Sequence, residues 1–119
     1  MKASLRLDDQ LPMGSFLRWL REHLEEPLTL AGLAREQHVS ERTLGRRFQQ
    51  ATGMSVFDWL IQERVSKAKV LLEVTDFRVA EVAAMAGFGS AESLRRNFEK
   101  VVGTTAGRYR EAFRSAASA

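Results

Sequence analysis

Cysteine is absent from the 119 residues. That excludes a disulfide frame, a thiolate metal site and a thiol nucleophile, and it is compatible with a reducing compartment. Proline occurs only at Pro12 and Pro27. With no Gly/Ser-rich run beside them, long linkers and low-complexity segments are excluded as well. No run of about 18 apolar residues and no charged-then-apolar leader occur, which argues against a membrane span or a signal peptide. The two histidines, His23 and His38, stand far apart and poorly accompanied, so no metal site or other cofactor is expected. No Ser/His/Asp set, phosphate-cradling glycine loop or pair of carboxylates in a plausible cleft can be assembled, and catalysis is not expected.

The chain is 45% hydrophobic and 28% charged, an ordinary globular composition with room for one domain or for two very small ones sharing a helix. The formal net charge is only +3, but it is unevenly placed. Residues 1–27 carry four Lys/Arg against five Asp/Glu, and residues 28–119 carry fourteen against ten. The surplus in the second stretch suits a polyanionic partner.

Apolar residues recur with a period near 3.6, and convincing period-2 alternation is missing, so seven helices and no sheet are expected. The first covers about 12–25, with Phe16, Leu17, Leu20 and Leu24 on one stripe and Pro27 beyond its end. Thr29 caps a short helix through Gln37; Ser40 caps a longer one, which Gly53 stops. Ser55 and Asp58 resemble a capping box. From there Phe57, Leu60, Ile61, Val65, Ala68, Leu71 and Leu72 form one face of a helix reaching Val74, roughly 30 Å long at 1.5 Å per residue. The pattern then restarts: a short helix at about 78–86, a Gly87-Phe88-Gly89 turn, a longer helix at about 90–102, the stop Gly103, and a last helix at about 105–115 before a fraying tail, 116–119.

The restart is a repeat. Leu-x-x-Leu-Ala from Leu30, then Val39-Ser40, Leu44, Arg46, Phe48, Gly53 and Trp59, is echoed by Val-x-x-Val-Ala from Val79, then Phe88-Gly89, Leu94, Arg96, Phe98, Gly103 and Tyr109. Each copy is a short helix, a tight turn and a longer helix, a helix-turn-helix candidate. In the longer helix of each copy, Leu44 with Phe48, or Leu94 with Phe98, makes the buried stripe. Trp19, Phe48, Trp59, Phe88, Phe98 and Tyr109 are read as core for the same reason of spacing. At 100° per residue, Arg42 and Arg46 fall about 160° and 200° from Leu44, and Glu92 and Arg96 hold the same positions about Leu94.

Such arginines suit the DNA major groove, where the planar fork donates two hydrogen bonds to guanine O6 and N7. Glu92 could accept from a cytosine amino group. Arg47, Arg95 and Lys100 flank these faces at phosphate-reaching positions, and Ser40, Thr43, Ser90 and the open helix N-termini add donors. Successive major-groove approaches on one face of B-DNA recur about 34 Å apart, so the intervening helix has the right scale to space two readers.

These residues resemble the DNA-binding domain of the AraC/XylS family of bacterial transcription regulators. The likeness rests on the paired units, the helix between them, and Gly87-Phe88-x-Ser90-x-x-Ser93-Leu94-x-Arg96-x-Phe98-x-x-x-x-Gly103 followed by Tyr109-Arg110. It covers about residues 13–113. It implies an all-α, homeodomain-like domain at about 12–115: a first helix-turn-helix at 29–53, a linker helix at 55–74, a second helix-turn-helix at 78–103 and a closing helix at 105–115, with 1–11 a flexible N-terminal segment. It also implies that the third and sixth helices enter adjacent major grooves. Carried over by position, Arg42, Gly45 and Arg46 are base-contacting in the first, and Ala91, Glu92, Ser93 and Arg96 in the second. Gly45 and Ala91 depart from the pattern. Gly45 costs its helix about 1 kcal/mol relative to alanine and reads equally as close backbone approach or as a tolerated surface glycine. Ala91 offers only apolar contact, as to a thymine methyl, so DNA shape would supply part of the specificity.

The expected function is that of a sequence-specific double-stranded DNA-binding regulator in the bacterial cytoplasm, nucleoid-associated when bound, acting as an activator through RNA polymerase. Residues 1–11 are too short for an effector or oligomerisation domain, so either such a domain lies outside this chain or the chain is a small stand-alone member. The rival reading is a basic helical adaptor for an acidic protein, with charge-dependent binding and no base preference. A DNA-repair methyltransferase using this kind of module would need a reactive cysteine, which the chain lacks.

Overall fold

The computed structural model describes residues 13–118; the N-terminal segment 1–11, Pro12 and Ala119 lie outside them. The described residues form seven helices and no strand: α1 (Met13–Glu22), α2 (Leu30–Gln37), α3 (Glu41–Thr52), α4 (Val56–Val74), α5 (Val79–Ala86), α6 (Ala91–Val102) and α7 (Ala106–Ser118). They divide into two units, the first ending at Leu60 and the second starting at Ile61, so α4 contributes residues to both.

In the first unit the apolar stripes of α1, α2, α3 and the start of α4 close on one core. Phe16, Leu20, Leu33, Leu44, Phe48 and Leu60 are all buried there. Phe48 is the hub, meeting Phe16 and Trp59 edge-on with ring centres 6.3 and 5.8 Å away; such pairs add about 0.5–1.5 kcal/mol each beyond the area they bury. Thr29 caps α2 by accepting from the Gly32 N–H at 3.0 Å. His38 then takes a left-handed conformation (φ 60°), and the Val39 N–H closes on the Ala34 carbonyl at 3.1 Å. Two residues later Ser40 caps α3, and Gly53 (φ 77°) ends it.

The second unit repeats this construction with its own core, built on Val65, Ala68, Leu72, Val82, Leu94 and Phe98. Gly87 (φ 97°) occupies the place of His38, and the Phe88 N–H closes on the Ala83 carbonyl at 2.8 Å. A 6→1 bond of this kind leaves the chain reversed and ready to restart a helix within three residues. Ser90 does restart it, and Gly103 (φ 90°) stops α6. In both units a side-chain hydroxyl opens the following helix: Ser55 accepts from the Asp58 N–H and Thr105 from the Arg108 N–H, at 3.0 and 3.1 Å.

Four sequence expectations are corrected. The first helix stops at Glu22 rather than near residue 25, because i→i+3 bonds, His23 N–H to the Leu20 carbonyl and Glu26 N–H to that of His23, wind the chain into turns before Pro27. The last helix continues to Ser118, where the Ser118 hydroxyl donates to the Arg114 carbonyl and alanines favour continuation. Phe57, taken as part of the buried face of α4, is 67% exposed, since the stripe that packs is Leu60, Val65, Ala68 and Leu72. Trp19 and Tyr109 are partly rather than fully buried, each packed against the rim of its unit's core.

The second unit is fastened by α7. Arg110 donates from Nε to the Leu72 carbonyl, from Nη1 to that of Phe77 and from Nη2 to that of Thr75, at 3.0, 2.7 and 3.0 Å. Arg114 adds a bond to the same Thr75 carbonyl at 2.6 Å and an ion pair with Asp76 at 2.9 Å. These cations meet the carbonyl end of α4, where the helix dipole favours positive charge. Beside them the Tyr109 hydroxyl donates to Glu73. That bond, with burial and the Glu73 charge, pushes the phenol up to about 12 from its ordinary 10. A phenol whose folded value is raised stabilises the fold fully below pH 10, and the contribution is lost as pH climbs from 10 to 12. Thermal melts between pH 8 and 12 should therefore show Tyr109→Phe less stable than wild type at pH 8, with the gap closing above pH 10; a gap independent of pH would refute the linkage.

Candidate nucleic-acid interface

Helices α3 and α6 are built alike from the N-cap onward. The Ser40 hydroxyl accepts from the Thr43 N–H at 3.0 Å, and the Ser90 hydroxyl accepts from the Ser93 N–H at 3.0 Å. Leu44 and Phe48, and Leu94 and Phe98, are fully buried. The face opposite is therefore committed to solvent, and on it Arg42 and Arg46 of α3 and Glu92 and Arg96 of α6 are exposed, with Arg95 exposed at its flank. Among the described residues, neither Arg46 nor Arg96 takes part in an ion pair or side-chain hydrogen bond, so all five N–H donors of each guanidinium are available to a ligand.

The other expected contact residues differ in availability. Gly45, Thr43, Ala91 and Ser93 are half-buried on the shoulders of the two helices, while Lys100 is exposed in the last turn of α6. The Ser40 hydroxyl donates to Thr43 Oγ1 at 3.0 Å; its one proton is spent locally, and Thr43 is left with the free donor. Arg47 is half-buried, and its Nη1 is enclosed without a hydrogen-bond partner, so it is less available to a phosphate than Arg95.

Three features escaped the sequence reading. Asn97, which matches Arg47 in the repeat, donates from Nδ2 to the Ser93 carbonyl at 2.9 Å and reaches Ser93 Oγ at 3.4 Å, so it ties down a residue in the first turn of α6. Asparagine four residues after serine was the available signal. The Arg110 carbonyl clamp had none, because its partners lie 33 to 38 residues away. Nor had the buried Gln37, whose Oε1 has no hydrogen-bond partner.

Residues 33–112 match the family described as helix-turn-helix domain. The DNA-binding domain of AdpA, solved in complex with a target DNA, is 39% identical, with a TM-score of 0.84 over 88% of this chain and 95% of that one. The chain belongs to the AraC-type helix-turn-helix family. An AraC-type DNA-binding domain protein from Chromobacterium violaceum has the same fold at 24% identity, with a TM-score of 0.73 over 84% of this chain and 95% of that one. Among curated relatives, the HTH-type transcriptional activator RhaR of Klebsiella pneumoniae is 30% identical over 105 residues, 88% of this chain and 37% of RhaR. RhaR of Yersinia pseudotuberculosis is 32% identical over 107 residues, 87% of this chain and 37% of its own length. The chain thus spans little more than a third of the length of these activators.

Proposed function

We propose that this chain is a sequence-specific, double-stranded DNA-binding transcription regulator of the AraC type, reading adjacent major grooves with α3 and α6. The observation that carries the reading is the duplicated helix with a capped N-terminus, a buried Leu/Phe stripe and an unengaged arginine at the matching position, Arg46 and Arg96. The relationship to AdpA, whose domain was solved on a target DNA, supports the same partner. Arg42, Arg46, Glu92, Ser93 and Arg96, with Gly45 and Ala91 at close approach, are assigned to base edges. Ser40, Thr43, Arg47, Ser90, Arg95 and Lys100 are assigned to the backbone, Ser40 and Ser90 mainly through the helix N-termini they cap.

The curated relatives are bacterial activators longer than this chain. On that basis activation through RNA polymerase in the bacterial cytoplasm, and an effector or oligomerisation domain outside these 119 residues, belong to the same proposal. The chemistry is recognition, and no residue is assigned a catalytic role.

Selection of tight-binding duplexes from a randomised pool tests this directly. The expected product is an asymmetric two-part motif with halves about one helical turn apart, bound with an affinity that falls steeply as salt rises. Salt-sensitive binding with no enriched motif would instead mean that the basic surface meets phosphate alone, and the adaptor reading would replace this one.

A further inference from the structure

The first unit holds a pocket of about 290 Å³ beside α3, open to solvent on the side of the exposed Leu30 and Phe57. Leu28, Leu30, Val56, Phe57 and Leu60 line it, with Gly45 and Gln49 on its α3 side and Ser55 at the start of α4. No charged residue lines it.

The internal repeat provides a control for whether this space is inherent in the motif. Aligning the units on their caps, Ser40 with Ser90 and Ser55 with Thr105, puts Arg95 at the place of Gly45, Gly107 at that of Phe57 and Arg110 at that of Leu60. In the second unit the Arg110 guanidinium reaches the carbonyl of Phe77, which matches Leu28 when the caps of α2 and α5, Thr29 and Arg78, are aligned. That corner is thus closed by a hydrogen-bonded cation, whereas in the first unit it is walled by leucines and left open. Gly45 completes the difference. A Cβ built there meets nothing within 4 Å, so the backbone does not require glycine, although it costs a helix interior about 1 kcal/mol relative to alanine. What the missing side chain does provide is an unobstructed cavity wall.

We propose that this cavity is a binding site for a small, neutral, ring-containing organic molecule. An enclosed apolar cavity of about 150 Å³ takes up benzene; this pocket is near twice that size and open on one side, so it suits a compact two-ring compound with one edge left in solvent. Apolar walls supply the affinity through surface removed from water. The Ser55 hydroxyl accepts from the Asp58 N–H and keeps its own proton, so it and the Gln49 amide are the two groups able to meet polar substituents of the occupant. Because Gly45 and Gln49 belong to α3, an occupant lies against the helix assigned to DNA reading. That consequence rests on the proposed function, but binding itself does not.

The test uses 2-naphthol as the probe, with the full chain and no DNA, followed by calorimetry and by amide chemical shifts. Wild type should bind one equivalent saturably, shifting amides in the middle of α3 and at the start of α4. Gly45→Leu, which places a side chain in the space while improving helix propensity, should weaken binding by at least about tenfold without lowering the melting temperature. Phe57→Ala, at an exposed position, should weaken it by roughly the same factor through lost wall area. Val74→Ala, an exposed apolar position in the second unit, should leave it unchanged. Absence of saturable binding, shifts confined to other residues, or undiminished binding in both Gly45→Leu and Phe57→Ala would overturn the proposal. None of these outcomes would bear on a failure to find a DNA motif.

Discussion

Arg96→Ala should relax one half of the selected duplex motif while leaving the other intact, and Arg46→Ala should do the reverse. The expected loss at the affected base pair is about 1–3 kcal/mol, roughly five- to 150-fold in discrimination. The size follows from geometry: each arginine stands opposite a fully buried Leu/Phe stripe, so the helix cannot rotate to substitute another side chain without exposing its core. Lysine should not rescue either position, because a single ammonium cannot reproduce a bidentate fork on guanine. Arg95→Ala and Lys100→Ala provide the contrast. As phosphate contacts they should weaken all duplexes about equally and reduce the salt slope by about one each. Anisotropy titrations at several salt concentrations, on the selected duplex and on versions scrambled in one half, separate the two classes. If Arg96→Ala weakened every duplex alike, Arg96 would belong with the phosphate contacts and the assignment of α6 as a base reader would fail.

Phe98→Ala should produce the largest change in stability, about 3–5 kcal/mol. Phe98 is fully buried in the second core and meets Tyr109 edge-on with ring centres 5.5 Å apart, so truncation removes a large apolar surface, leaves a cavity and frees the α7 anchor. Against a total stability of about 5–15 kcal/mol for a small domain, such a loss leaves little in reserve. Because the two cores are separate sets of residues, hydrogen exchange in Phe98→Ala should accelerate in α5 and α6 far more than in α2 and α3. Equal acceleration in both units would mean that the chain unfolds as one cooperative body.

The division between what was legible in sequence and what was not follows the range of the interactions. Helix starts and stops were readable because they rest on groups within four residues of one another: Ser40 with Thr43, Ser90 with Ser93, Gly53 with Gln49 and Gly103 with Glu99. The left-handed His38 was not, since a non-glycine residue in that conformation gives no compositional signal, and only the repeat pairs it with Gly87. The outward arginines were readable because helical periodicity places them opposite Leu44 and Leu94 whatever the helices pack against.

Periodicity, with local caps, glycine stops and the repeat, decided the seven-helix, twice-built architecture and the chemistry of its outward faces. Tertiary packing decided which apolar residues are covered and which polar groups are already engaged. Phe57 satisfied the stripe of α4 in sequence and is exposed, Arg47 looked like Arg95 and has a nitrogen enclosed, and Arg110 clamps carbonyls more than thirty residues away. The cavity beside Gly45 belongs with these. Its walls come from the turn before α2 and from α2, α3 and α4, and a space bounded by separate elements exists only once those elements have packed together, because no local rule acts across that distance.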